Sequence, residues 1–207
     1  DLASAKASFK DQAIIFSRKH NWIMCILYLG TFGSFIGFAA GFPLLTKSQF
    51  PEIDPVKYAF LGPLVGALAR PFGGWISDKI KSGALITQLV FAGMIVAVIG
   101  VISFLPSDGQ GGNFWGFFAC FLALFALTGL GNGSTFMQVP VIFLNMHQKF
   151  AQQGLVSEEQ ARLDATKEGA AVIGFTAAFA AYGGFFIPKS YGTSIDLSGS
   201  VTAALIG

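Results

Sequence analysis

Apolar residues run along this chain in long blocks broken by short polar interruptions. Five of the blocks are long enough to cross a ~30 Å hydrocarbon core, which takes about 20 helical residues. They lie at about 21–45, 58–77, 84–105, 114–144 and 170–187, and a sixth begins near Leu197 and is cut off. The pattern predicts an all-α, polytopic helical membrane protein with about five complete spans and the start of another. Pro140 in the long fourth block predicts a kink or an early exit.

The segments between blocks fall into two sets. Residues 1–20, 78–83 and 145–169 carry Lys6, Lys10, Arg18, Lys19, Lys79, Lys81, Lys149, Arg162 and Lys167. Residues 46–57, 106–113 and 188–197 carry only Lys47, Lys57 and Lys189. The excess of Lys and Arg places the first set in the cytoplasm, and the spans alternate from there. Residues 1–20 are expected to be a polar cytoplasmic segment. Residues 146–169 are expected to be a cytoplasmic helical hairpin or a solvated linker. The polar start at Asp1 and the short apolar run Val201–Ile206 are expected of a piece of a longer protein.

Composition narrows the class. Only 12% of the 207 residues are charged, about half of what a soluble domain carries. That excludes disorder and a coiled coil. A net charge of +2 is too small for tracking nucleic-acid phosphates. The two cysteines, Cys25 and Cys120, sit singly on different spans, so neither a disulfide scaffold nor a metal site follows. The two histidines, His20 and His147, fall at span ends, where they cannot ligate a membrane-embedded haem. No serine has a histidine partner for nucleophilic catalysis. The chain is therefore not expected to be an enzyme, and no cofactor or metal is implied.

Arg70 is the exception to the apolar pattern. It lies in LVGALARPFGGWISD, eight residues before Asp78, or about 12 Å from the span end at 1.5 Å per residue. An arginine near the midplane costs about 2.5–3.5 kcal/mol on insertion scales. No Asp or Glu lies away from the span ends, since Asp78, Glu168 and Asp196 are all at boundaries. Arg70 is thus expected to be a buried charge whose counter-ion comes from outside this sequence, from water or from a bound anion, and an anion site is favoured over a structural arginine that ties up carbonyls. Its planar fork of donors suits a planar oxyanion. Tyr28 and Phe32, spaced i, i+4, share one helix face at a similar depth, with Phe35 close by.

Three spans are rich in glycine. Gly33, Gly37 and Gly41 recur every four residues, Gly129, Gly131 and Gly133 cluster beside Asn132 and Thr135, and Gly174, Gly183 and Gly184 mark the fifth span. Small residues at such spacing let helices approach closely. The turn Gly73-Gly74-Trp-Ile-Ser-Asp78-Lys79-Ile-Lys81 resembles the GxxxD(R/K)xx(R/K) motif of the major facilitator superfamily. There Asp78 would act as a charged latch, with Gly74 and Lys79 as its companions.

Taken with these residues, the chain resembles the C-terminal half of a nitrate/nitrite porter of that superfamily. The resemblance covers nearly the whole sequence. It rests on YLGTFGSFIGFAAGF (28–42), GPLVGALARPFGGWISD (62–78), GLGNGSTF (129–136) and GFTAAFAAYGGFF (174–186), the last similar to the family's second nitrate signature. It implies the major facilitator fold, with residues 1–20 as the linker between halves and 21–207 as the C-terminal bundle. In the family, an arginine from each half clamps the anion and aromatics sandwich it. Arg70 matches the arginine of this half, and Phe32 and Tyr28 match its aromatic residues. Asn132 and Thr176 supply further polar groups. The second arginine lies in the N-terminal half, outside this sequence. Where some members carry a serine three residues after the first signature glycine, this chain has Ala177.

The resemblance implies nitrate/nitrite antiport by alternating access, in a monomer of the bacterial inner membrane that serves nitrate assimilation. The partners implied are small inorganic anions and the lipid bilayer, with no nucleic acid. The alternatives are a proton-coupled nitrate symporter, a carrier of another anion such as phosphate and, from another class, a non-transporting membrane subunit or receptor.

Overall fold

The structure, a computed structural model, describes residues 12–106 and 111–206. The expectations for residues 1–11, including Lys6 and Lys10, for the middle of the 106–113 loop and for Gly207 lie outside the described residues. Helix accounts for 86% of the described residues and no strand occurs among them, which makes the fold all-α.

The first span is two helices, α1 (Lys19–Tyr28) and α2 (Ser34–Gln49), joined by a π-helical turn over Leu29–Gly33. Then come α3 (Leu61–Ile80), α4 (Gly83–Ser103), α5 (Phe114–Gln152), α6 (Glu158–Ala180), α7 (Gly183–Ser198) and the short α8 (Thr202–Ile206). Local chemistry sets the helix starts. The Ser82 hydroxyl accepts from Leu85 N–H, Asn113 Oδ1 from Gly116 N–H and Ser157 Oγ from Gln160 N–H, each satisfying an orphan donor of the first turn. Glu158 and Glu159 add negative charge at the N-terminus of α6.

Lys19–Gln49, Gly83–Ser103, Phe114–Gln152 and Glu158–Ser198 combine membrane-crossing length with sufficient apolarity. The 20-residue α3 reaches about 30 Å at the helical rise, but Arg70, Asp78, Lys79 and two prolines dilute its apolar character. The chain is a multi-pass membrane protein.

Three expectations need correction. Of the two outcomes expected at Pro140, the early exit does not occur: the 39-residue α5 runs through it. At about 58 Å, α5 outruns the hydrocarbon core, so its last turns and the start of α6 form ordered helix where a solvated linker was the alternative. The fifth span is interrupted at Ala181–Tyr182, and its second part, α7, runs on to Ser198 through residues expected to be a loop. The next helix begins at Thr202 rather than near Leu197, after Gly199 turns the chain with φ 71°.

Phenylalanine builds the core. Phe114, Phe117, Phe118, Phe121 and Phe125 line one face of α5 at i, i+3, i+4 spacing and interlock with Phe38, Phe42 and Phe50 of the first span. A smaller cluster of Ile15, Met24, Val139, Phe143 and Val172 ties the segment before α1 to α1, α5 and α6 at the other end. Helix α4 is apolar on all sides, and Leu85, Leu89, Ile95, Val96 and Ile99 are exposed, as befits contact with lipid.

Candidate functional site

The site is built on the seam between α3 and α5. Gly66 faces Gly129, Gly73 faces Leu130, and Gly133 faces the carbonyl of Arg70, so closely that a Cβ at Gly129, Gly73 or Gly133 would meet backbone atoms. Backbones this close leave no room for a guanidinium between them. Arg70 springs from the same stripe of α3 as the buried Gly62, Gly66, Gly73 and Ser77, yet its side chain leaves the seam and is exposed. The backbone of Arg70 is packed, but its charged end is open to the surroundings of this chain.

On leaving the seam, the guanidinium meets the first span. Arg70 Nη2 donates to Tyr28 Oη at 3.4 Å, and Cζ stands 5.3 Å from the centroid of the Phe32 ring. The Tyr28 and Phe32 rings are 5.3 Å apart. Tyr28 is buried and Phe32 half-buried. Because Tyr28 Oη accepts from arginine, its own proton is left to donate to a ligand. No carboxylate pairs with Arg70 among the described residues; the ion pairs found there lie at another place. The arrangement offers a forked cation, a phenol donor and an aromatic wall, which is an oxyanion-binding set without a built-in counter-ion.

Two backbone irregularities shape this site, and the sequence reading held neither. The π turn lies directly between Tyr28 and Phe32. Turns of this kind concentrate at functional sites, and here the Thr31 hydroxyl donates to Leu27 O at 3.0 Å, occupying an acceptor in the irregular stretch. Gly33, at the end of the turn, touches Gly183 where α6 gives way to α7, so the two irregular segments pack on one another. Further along, Gly37 meets Ile187 and Gly41 meets Tyr191. The four-residue glycine stripe is thus the seam between α2 and α7. The second irregularity is Pro71. It has no N–H, which leaves the Ala67 carbonyl without its helical donor one turn before Arg70. Ala67, Arg70, Pro71, Gly74 and Asp78 of α3 line an open groove of about 660 Å³ with Gly133, Phe136 and Met137 of α5.

Behind Phe32, the Phe35 ring stacks at 6.5 Å and an interplanar angle of 9°, and it meets Phe125 edge-on at 5.8 Å. Phe35 also lies against Gly66. The aromatic wall is therefore backed by the same seam that roots Arg70.

The remaining candidates divide. Asn132 is buried beside Gly133, and its Oδ1 has no hydrogen-bond partner. Thr176 is buried on α6, and its hydroxyl donates to Val172 O at 2.8 Å within its own helix. No hydrogen bond joins Thr176 to Arg70, Tyr28 or Phe32. Asp78 and Lys79 are both exposed. Lys79 Nζ lies 5.0 Å over the Trp75 ring, and the Asp78 carboxylate has no ion-pair partner among the described residues. Gly74 packs against Met137, Gly183 against Gly33 and Gly184 against Ile36, whereas Gly174 faces open space and mediates no close approach within this chain.

Glu168 and His147 were expected at solvated boundaries. Both are buried, at 6% and 4% exposure, in the ordered ends of α6 and α5. Their distance from Arg70 is large. His147 lies about 21 Å along α5 from Gly133 at the helical rise.

No family model matches the chain. The chain is 45% identical over 206 residues to the nitrate/nitrite transporter NarU of Escherichia coli (strain K12), covering 99% of this chain and 44% of that protein. It is 37% identical over 206 residues to the probable nitrate/nitrite antiporter NarK2 of Thermus thermophilus, covering 98% of this chain and 41% of the relative. A nitrite extrusion protein of Bacillus subtilis (strain 168) is 32% identical over 143 residues, covering 67% of this chain and 34% of the relative. The chain spans less than half the length of these curated relatives.

Proposed function

We propose that this chain, a homologue of nitrate/nitrite transporters along 99% of its length, is the C-terminal half of a nitrate/nitrite carrier of the major facilitator superfamily, seated in the bacterial inner membrane. The observation that carries the proposal is Arg70. It is held at mid-helix between Tyr28 and Phe32, has no carboxylate partner among the described residues, and opens onto a groove. A nitrate or nitrite ion accepts from the guanidinium fork and the Tyr28 hydroxyl, and Phe32 covers its flat face. The exposed guanidinium is completed by the opposing half of the carrier, which brings the second arginine.

Antiport by alternating access follows from charge. An empty site sets two guanidinium groups against each other and disfavours closure, while a bound anion neutralises them. No acidic residue lies at the level of Arg70 among the described residues, which favours exchange over proton symport. The relatives carry the names of transporters rather than enzymes, and a solute-binding groove suits a monomeric carrier better than a non-transporting subunit.

The test is uptake of labelled nitrate by the intact protein in proteoliposomes, with nitrite inside or absent, with and without an imposed pH gradient. Exchange requires internal nitrite and ignores the gradient. Uptake into nitrite-free vesicles driven by an inward proton gradient would replace antiport by symport. No flux under either condition would favour a receptor or subunit.

A further inference from the structure

At the end of the bundle away from Arg70, three side chains from three elements converge. Arg18, immediately before α1, forks onto Glu168 of α6, with Nε donating to Oε2 at 2.9 Å and Nη2 to Oε1 at 2.8 Å. His147 of α5 places Nε2 3.2 Å from the same Oε1, but it is not aligned for a hydrogen bond and has no other partner. The Arg18 guanidinium lies 5.8 Å over the Phe150 ring, which the His147 ring meets edge-on at 5.6 Å. Side-chain exposure is 22% for Arg18, 7% for Glu168 and 5% for His147.

One carboxylate oxygen therefore faces two potential cations. With Arg18 seated, the cluster is neutral if His147 is neutral. A proton on His147 would then bury a second positive charge beside the guanidinium, which is unfavourable. With Arg18 withdrawn, Glu168 would be a buried, unpaired anion, which is costly unless His147 takes up a proton and replaces the arginine. Across the surrounding elements, the charged groups that face His147 are Glu168 from α6 and Arg18 from the segment before α1. Lys19, His20 and Lys149 are exposed. On α6, Asp164 is hydrogen-bonded to Gln160, and Lys167 is half-buried.

We infer that Arg18, Glu168 and His147 form a proton-linked latch, in which undocking of the segment before α1 takes up one proton from solvent at His147. The docked state pairs Arg18 with Glu168, and the undocked state pairs protonated His147 with Glu168. The undocked state holds one more proton than the docked state, so lower pH favours undocking. Linkage of one proton changes the ratio of the two states by up to about tenfold per pH unit. This inference does not rest on which anion is carried, because it concerns the position of a segment.

The test is an interspin distance measurement on the intact protein in nanodiscs, with native cysteines replaced and labels at the exposed positions Ser17→Cys, in the segment before α1, and Gln148→Cys, on α5. Wild type is expected to show a short distance at pH 8 and a longer population that grows as the pH falls to 5.5. His147→Gln breaks no established hydrogen bond. It is expected to stay docked and lose the pH response. Glu168→Gln is expected to show the longer distance at every pH. A pH-independent distance in wild type would overturn the latch. So would a pH response that survives in His147→Gln, or a Glu168→Gln protein that stays docked throughout.

Discussion

Gly73 and Gly74 are adjacent, both buried on α3, and the structure assigns opposite consequences to the same substitution at each. A Cβ at Gly73 would stand 2.6 Å from the Leu130 carbonyl carbon and 2.7 Å from its Cα. Those atoms belong to the backbone of α5 and cannot swing aside. Ordinary contact begins at about 3.4 Å, so α3 and α5 must part by about 0.8 Å or more for Gly73→Ala. A gap of that size forfeits a quarter to a half of the dispersion energy along the seam, and overpacking of this kind costs about 1–3 kcal/mol. The gain of helix propensity from Gly to Ala returns about 1 kcal/mol. At Gly74 the Cβ meets Met137 Cγ at 3.3 Å, the middle of a flexible side chain, and is in ordinary contact with the Gly133 carbonyl oxygen at 3.8 Å. There the same propensity gain offsets a small rotamer adjustment.

Because the clash at Gly73 is with backbone, the upper part of that range, about 2–3 kcal/mol, applies; Gly73→Ala is therefore expected to lower stability by about 1–2 kcal/mol net, while Gly74→Ala stays within about 0.5 kcal/mol of wild type. Thermal unfolding in detergent at one scan rate measures the difference. A fall of roughly 2–8 °C for Gly73→Ala follows from the scaling of globular domains. The parting also moves Arg70 from Tyr28, whose hydrogen bond at 3.4 Å has no slack. Anion binding should weaken with the melting temperature. Equal melting temperatures for the two variants would refute the account of the seam.

Phe32→Leu keeps the volume but removes the ring beneath the guanidinium, and should weaken nitrate binding by roughly 3–30-fold, the worth of about 0.5–2 kcal/mol of cation–π contact; titration of labelled nitrate checks this. Tyr28→Phe removes the acceptor of the long Arg70 bond and a donor to the ligand, and should weaken binding about tenfold with an unchanged melting temperature. Thr176→Val should leave binding within about twofold, because the hydroxyl is already committed to Val172. The hydrogen bond to Glu168 raises the pKa of Arg18 further above its ordinary range, against a smaller opposing effect of burial. Stability from a raised pKa is present below the unfolded value and lost only as pH rises through the folded one, and both lie beyond ordinary titrations. Arg18 itself should add no slope to stability between pH 6 and 9, so a slope that disappears in Arg18→Gln but persists in His147→Gln would contradict this.

Much of the fold was legible because spanning helices announce themselves by length and apolarity, and Arg70 stood out as the charge that violates the pattern. The i, i+4 spacing of Tyr28 and Phe32 put both on one face, and the structure brings both to Arg70. The π turn between them left no trace, because Leu29–Gly33 is compatible with either helical hydrogen-bond register and the apolar pattern continues through it. The break at Ala181–Tyr182 was hidden for the same reason, since neither proline nor charge marks it. The exposure of Arg70 depends on which way a long side chain leaves a glycine seam, and that is decided by Gly133 and Gly129 more than 50 residues away. Glu168 and His147 looked like boundary residues because polar residues at the ends of apolar runs usually are. Their burial follows from α5 running on past Pro140 to pack beside α6.

The central claim is that the forked guanidinium of Arg70 binds the anion. Equilibrium binding of labelled nitrate to purified wild-type protein and to Arg70→Lys tests it most directly, with thermal unfolding alongside to establish that the variant is folded. Lysine keeps the charge but not the planar pair of donors. Loss of a charge-assisted hydrogen bond worth about 1.5–3 kcal/mol predicts binding weaker by about 10–150-fold. A folded Arg70→Lys protein that binds nitrate as tightly as wild type would contradict the account.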